Sequence, residues 1–230
     1  MEIRNLYGQF CPVSMASEVI CTRWTPLVMR ELLCGSTRFN DIRRGVPRMS
    51  PTLLSKRLKE LELAGVVRTE VSPRGTQEYH LTAAGEELRP LIVGLGNWGQ
   101  RWIESRLSLR NLDPSLLMWD IRRNFNPDPR PESRCTIQFL YPELPRAMRD
   151  WWLVIDGDGT DLCRVDPGFE IDVLITADLR AMTSVWMGVT RFVDEIETGA
   201  IRLDASPMLQ RQVKAWMTLS VFAPLERMVE

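Results

Sequence analysis

Apolar residues near the start of the chain recur at helical spacing. Val13, Ala16, Val19 and Ile20 form one set, and Trp24, Leu27, Val28, Leu32 and Leu33 a second. Thr25-Pro26 marks the start of the second set, because proline in a first helical turn gives up an N–H that has no partner there. Gly35 ends it. Arg38 through Arg44 reads as a short helix stopped by Gly45 and Pro47. Ser50-Pro51, a cap followed by a first-turn proline, opens a further helix that runs to Ala64-Gly65. The period then changes. Val66 to Val71 and Gln77 to Leu81 are β-like runs on either side of the turn cluster Ser72-Pro73-Arg74-Gly75-Thr76, which predicts a hairpin. Thr82 is expected to cap a long helix striped by Leu88, Ile92, Leu95, Trp98 and Trp102.

Asn111-Leu112-Asp113-Pro114 breaks the pattern, and Asp113 can cap a helix beginning at Pro114. After the stiff loop Asn126-Pro127-Asp128-Pro129-Arg130-Pro131, strand-like runs cover 135–141, 151–156, 161–165 and 171–176. Helices are predicted at 178–187 and 190–198, a short strand at 200–203, and a last helix from Pro207. The expected fold class is α+β, with an N-terminal domain over 1–108, mainly helical with a β-hairpin, and an α+β domain over 112–230.

The chain has 230 residues and a formal net charge of −1, which hides an asymmetry. Residues 1–110 hold 16 Lys and Arg against 11 Asp and Glu, and residues 111–230 hold 13 against 19. A basic half joined to an acidic half suggests one polyanion-binding domain and one domain with another task, although chance fluctuation gives the same numbers. No run of about 18 apolar residues predicts a membrane span. The N-terminus lacks the basic and apolar regions of a secretory signal. The five cysteines contain no CxxC pair, so neither a zinc ribbon nor a disulfide framework is indicated, and a reducing, cytoplasmic location is expected.

The segment 50–65 carries the most chemistry. At 100° per residue Leu54, Leu58 and Leu61 share a core face, and Thr52, Ser55, Lys56 and Lys59 lie opposite. Two cations for phosphates and two short hydroxyls for base edges, on a helix that follows another through a turn, suit a major groove. An ordinary solvated helix face would look the same. Arg38, in the preceding short helix, and Arg74, at the hairpin tip, complete the expected DNA-contacting set.

A wider pattern bears on that choice. Cys11-Pro12-Val13, Trp24-Thr25, Arg38 to Ile42, Ser50 to Leu58, Leu61-Glu62, Gly65-Val66-Val67, Tyr79, Leu81-Thr82, and Gly85 to Trp98-Gly99 together resemble the HxlR-type winged helix-turn-helix regulators over about 90 residues. The resemblance implies a homodimeric transcriptional regulator, taken as a repressor, that binds a palindromic operator in double-stranded DNA. It makes 50–65 the recognition helix and 66–81 the wing, with residues near 11–20 and 83–105 forming the dimer interface. Cys11 matches the family's N-terminal cysteine, which in several relatives senses oxidants or electrophiles. A buried interface cysteine is the alternative.

Gly94-Leu95-Gly96-Asn97-Trp98-Gly99 matches the dinucleotide fingerprint in letters only. Apolar spacing of 3–4 continues through it, so we expect a helix whose small residues permit close packing across a dimer. Asp156-Gly157-Asp158-Gly159 fails the calcium-loop pattern and reads as a hairpin turn.

The C-terminal segments Ile171 to Thr176, Leu179, Trp186-Met187-Gly188 and Glu197 to Leu203 resemble the sterol-carrier-protein type of lipid-binding domain. In that family a strand leads to a helix ending at Gly, then a second helix, Gly and a short strand. Asp204 stands where the family more often has Gly. The resemblance implies an apolar cavity for a small-molecule effector, with Phe139, Trp152, Trp186, Met187, Phe192, Trp216 and Met217 as candidate lining. Plain core is the alternative for each.

An enzyme is not expected. The one histidine, His80, falls on a wing strand, which excludes a histidine-based triad or zinc site, and neither a P-loop nor a GxSxG elbow occurs. No catalytic residue, cofactor or metal is therefore assigned. A lipid carrier or enzyme-accessory protein remains an alternative to the regulator.

Overall fold

Proline stands in the first turn of helices in both halves of the chain, at Pro12, Pro51, Pro114 and Pro207 after a residue with extended backbone or a polar cap, and at Pro26 after Trp24, whose φ is +78°. The computed structural model describes residues 7–104, 110–157 and 159–229. Contacts divide the chain into two compact units, residues 1–95 and 96–230.

The first unit is a winged helix-turn-helix. Its helices are α1 (Pro12–Ile20), α2 (Thr25–Leu33), α3 (Phe39–Gly45) and α4 (Pro51–Leu63). The antiparallel hairpin of β1 (Val67–Val71) and β2 (Gln77–Leu81) pairs Val67 with Leu81 and Val71 with Gln77. The short α5 (Ala83–Glu86) and the start of α6 (Arg89–Trp102) follow. Val28, Met29, Leu32, Ile42, Leu54, Leu58, Leu61 and Val67 form the core, with Leu88 and Ile92 packed against it. Glu31 is fully buried. Arg30 lies 2.8 Å from its carboxylate and donates to the Gly45 carbonyl at 2.6 Å. A buried carboxylate is tolerated when paired in this way, and the pair ties α2 to the end of α3.

One element departs from expectation. Thr82 caps only α5, its hydroxyl accepting from the Gly85 amide at 3.2 Å, and the helix restarts as α6. Pro90 is the reason: it has no N–H to continue the ladder, and it sits in the first turn of the new helix.

The second unit has a five-stranded sheet in the order β5-β4-β3-β6-β7. The strands are β3 (Cys135–Leu140), β4 (Asp150–Asp156), β5 (Gly159–Cys163), β6 (Val173–Ala177) and β7 (Ile201–Ala205). β3 and β6 are parallel and the other neighbours antiparallel. The helices are α7 (Pro114–Asn124), a four-residue α8 (Arg146–Arg149) that the sequence pattern did not suggest, α9 (Leu179–Trp186), α10 (Phe192–Glu197) and α11 (Pro207–Trp216). Alternate strand residues Ile137, Phe139, Trp151, Leu153, Val173, Ile175, Ile201 and Leu203 share one buried cluster with Met118, Met182 and Trp216. Asp178 caps α9 by accepting from the Arg180 and Ala181 amides. The glycine-rich segment 94–99 lies inside α6, which removes the strand–turn–helix a dinucleotide site needs. Gly157 lies in the β4–β5 turn, while Asp158 is outside the described residues.

Candidate nucleic-acid interface

The Ser50 hydroxyl accepts from the Leu53 amide at 3.3 Å and fixes the start of α4. Leu54, Leu58 and Leu61 are buried, and Thr52, Ser55, Lys56 and Lys59 are exposed. The helix therefore turns its hydroxyls and cations to solvent. Lys56 lies 3.9 Å from Glu60, and Lys59 2.8 Å from Glu62. The hydrogen bond from Lys59, then one from Thr69, hold the Glu62 carboxyl below its ordinary value. Both pairs are exposed, and solvent screening leaves contacts of this kind weak. Arg57 acts inward instead. Its side chain is largely covered, pairs with Glu60, and donates to the Arg23 carbonyl at 3.1 Å.

The wing is joined to the front of α3. The Tyr79 amide donates to the Thr37 carbonyl at 2.7 Å, and Arg38 meets Glu78 at 3.3 Å. Arg38 is thus half-exposed and already paired. Arg74 is exposed at the hairpin tip beside Gly75, whose φ of +75° is the left-handed conformation the turn requires. Arg38, Asn40, Arg44, Ser55, Gln77 and Tyr79 line a polar groove of about 670 Å³ between α3, α4 and the wing. Arg43, Arg44 and Arg48 are also exposed on this unit. Sequence reasoning centred on the recognition helix misses them. The closely spaced arginines around Gly45-Val46-Pro47 are the signal that could have found them.

Cys11 is exposed and sits at the N-cap of α1, where the amides of Ser14 and Val13 hold its thiol below the ordinary value. Cys135 is buried, and burial together with Asp172 pushes its thiol up to about 11.

In the second unit Phe139, Trp186 and Trp216 belong to the core cluster, with Met187, Phe192 and Met217 half-buried against it. Trp152 pairs with Gln138 and lies on the opposite face of the sheet from Phe139, so it stands apart from the other six, which gather in or against one core cluster. A groove of about 680 Å³ does occur, lined by Thr176, Ala177, Ile196, Ile201, Leu203 and Lys214 among others, and none of the expected residues borders it. The indole N–H groups of Trp152 and Trp216 are buried without a hydrogen-bond partner. Among the described residues no group of three or more His, Cys, Asp or Glu could hold a metal ion, and no helix is long and apolar enough to cross a membrane.

Residues 19–107 match the HxlR-like helix-turn-helix family. The chain is 39% identical over 100 residues to the HTH-type transcriptional regulator YvaP of Bacillus subtilis, covering 42% of this chain and 93% of that one. It is 32% identical over 99 residues to the HTH-type regulator sll1512 of Synechocystis, covering 42% and 73%. Among solved structures the redox regulator HypR in its reduced form is 33% identical, with a TM-score of 0.37 over 39% of this chain and 91% of that one. By its match to YvaP, at 39% identity over 93% of that protein, the chain belongs to the HxlR-like helix-turn-helix family.

Proposed function

We propose that this protein is a homodimeric, sequence-specific DNA-binding transcriptional regulator whose second unit takes up a small apolar effector. The observation that carries the first part is α4, which buries three leucines and presents Thr52, Ser55, Lys56 and Lys59. With α4 in the major groove, the lysines neutralise phosphates and the hydroxyls meet base edges, while Arg74 on the wing reaches the flanking backbone or minor groove. Arg38 exchanges Glu78 for a phosphate on binding.

Dimerisation through residues near 11–20 and 83–105 is supported by apolar side chains left in water. Leu91, Leu95, Trp98 and Trp102 recur at spacings of four, three and four along α6 and are 52%, 58%, 60% and 49% exposed. Val13 and Met15 of α1 are exposed as well. A contiguous apolar stripe of this kind marks an interaction surface, and a two-fold dimer matches a palindromic operator.

For the second unit, the order β6, α9, Gly188, α10, Gly199, β7 follows the strand–helix–Gly–helix–Gly–strand order of the sterol-carrier type. A gel-shift assay with the DNA upstream of the protein's own gene tests the regulator reading, with loss of the shift expected in the Lys56→Ala/Lys59→Ala double variant and a normal shift contradicting it. Native mass spectrometry of the purified protein tests the effector reading, and a mass free of any apolar adduct, unchanged by added fatty acids, contradicts it.

A second reading, thiol-based sensing, rests on Cys11 alone. An exposed thiol of lowered pKa at a helix start is the chemistry a peroxide or electrophile sensor needs. Operator binding that is unchanged after Cys11 is alkylated would contradict it.

A further inference from the structure

The sequence pattern has Gly96 packing across a dimer. In the structure its face is filled from within the second unit, because a Cβ at residue 96 would stand 2.2 Å from Cζ of Phe222. Further contacts run the same way. The Arg227 guanidinium donates to the Ile103 carbonyl at 2.7 Å and to Gln100 Oε1 at 3.4 Å, and the Met228 amide donates to the Arg101 carbonyl at 2.8 Å. Gln100, buried in the last turn of α6, donates to the Met187 carbonyl at 3.1 Å. The Ser220 amide donates to the Trp186 carbonyl at 2.9 Å. Gly188, at φ +71°, has Ala223 so close that a Cβ would meet it at 2.8 Å.

Residues 96, 100 and 103 are spaced by four and three, so they form one face of α6 and its extension. Leu91, Leu95, Trp98 and Trp102 form another. Ser220 to Met228 therefore grips the side of the helix end that the exposed stripe leaves free, and ties it to the Trp186–Gly188 corner. The same helix begins in the first unit, where Leu88 and Ile92 pack into the winged-helix core.

We propose that Ser220 to Met228 is a coupling strap, through which the state of the second unit and DNA binding by the winged helix influence each other along α6. This rests on the regulator reading above. A continuous helix shared by the two units is a physical route for coupling, and a coupling free energy is reciprocal, so DNA must change the strap as much as the strap changes DNA binding. Reciprocity allows a test with DNA as the probe and no effector.

The experiment is hydrogen exchange on the full chain, with and without a duplex selected by the protein from a random pool. In the wild type, DNA is expected to slow exchange in 51–63, and also by about fivefold or more in 186–188 and 220–228. In Phe222→Ala, which empties the seat, and in Arg227→Ala, which keeps the seat and removes the outer bonds, the response in 51–63 persists and that at the strap disappears. A strap response absent from the wild type, or undiminished in both variants, overturns the proposal. No response at 51–63 in the wild type overturns the DNA-binding reading itself. Circular dichroism of each variant separates uncoupling from unfolding, and Arg227→Ala carries the test if Phe222→Ala does not fold.

Discussion

The carboxylate of Glu31 fills the space beside Gly45, so closely that a Cβ at residue 45 would lie 1.9 Å from the carboxyl carbon. Gly45 ends α3, and Glu31 is held by Arg30 in α2. The orientation of the two helices ahead of α4 thus depends on a missing side chain facing a buried charge. Gly45→Ala must displace that carboxylate, and overpacking of this kind costs about 1–3 kcal/mol. Urea denaturation is expected to show a lower midpoint with an unchanged slope.

The Arg38–Glu78 contact ties the wing to α3 and also occupies a cation proposed to serve DNA. Glu78→Gln should cost less than about 1 kcal/mol of stability, since the pair is partly exposed. It should raise affinity for DNA of any sequence at low salt, because the arginine no longer leaves a carboxylate to reach a phosphate. Anisotropy titrations against specific and random duplexes read both effects.

Cysteine reactivity should separate by place in the fold. A thiol held below its ordinary value is more fully ionised near pH 7, and the thiolate is the nucleophile. Cys11 is therefore expected to alkylate readily in the folded protein. Cys135, pushed up to about 11 and buried, should stay unmodified until denaturant is added. Timed iodoacetamide labelling followed by peptide mapping gives the order, and equal labelling of the two would contradict it.

Trp98→Asp places a charge in the exposed stripe of α6. If the stripe is the dimer interface, the variant sediments as a monomer and loses operator affinity while keeping its helical content. Retention of the dimer would move the interface elsewhere.

The winged helix is legible in the sequence because its signals are local. Ser50-Pro51, the leucine face of α4 and the turn at Gly75 each act within a few residues. Nothing local at Arg38 points to its partner: Glu78 is forty positions away, and only the folded hairpin brings it close. The same holds for Gly96. The sequence shows a small residue on a helix face, but what fills the space is Phe222 from the far end of the chain. In the second unit strand alternation is readable, yet it separates Trp152 from Phe139, and a set of large apolar residues does not record which face each one takes.

The salt dependence of operator binding tests the central claim most directly. Every phosphate that a variant no longer neutralises makes the slope of log K against log salt shallower by about 0.9. Lys56 and Lys59 stand on the exposed face of α4. The Lys56→Ala/Lys59→Ala variant should bind its operator more weakly than the wild type, with a slope smaller by about 2. An unchanged affinity and slope would contradict the assignment of α4 to DNA.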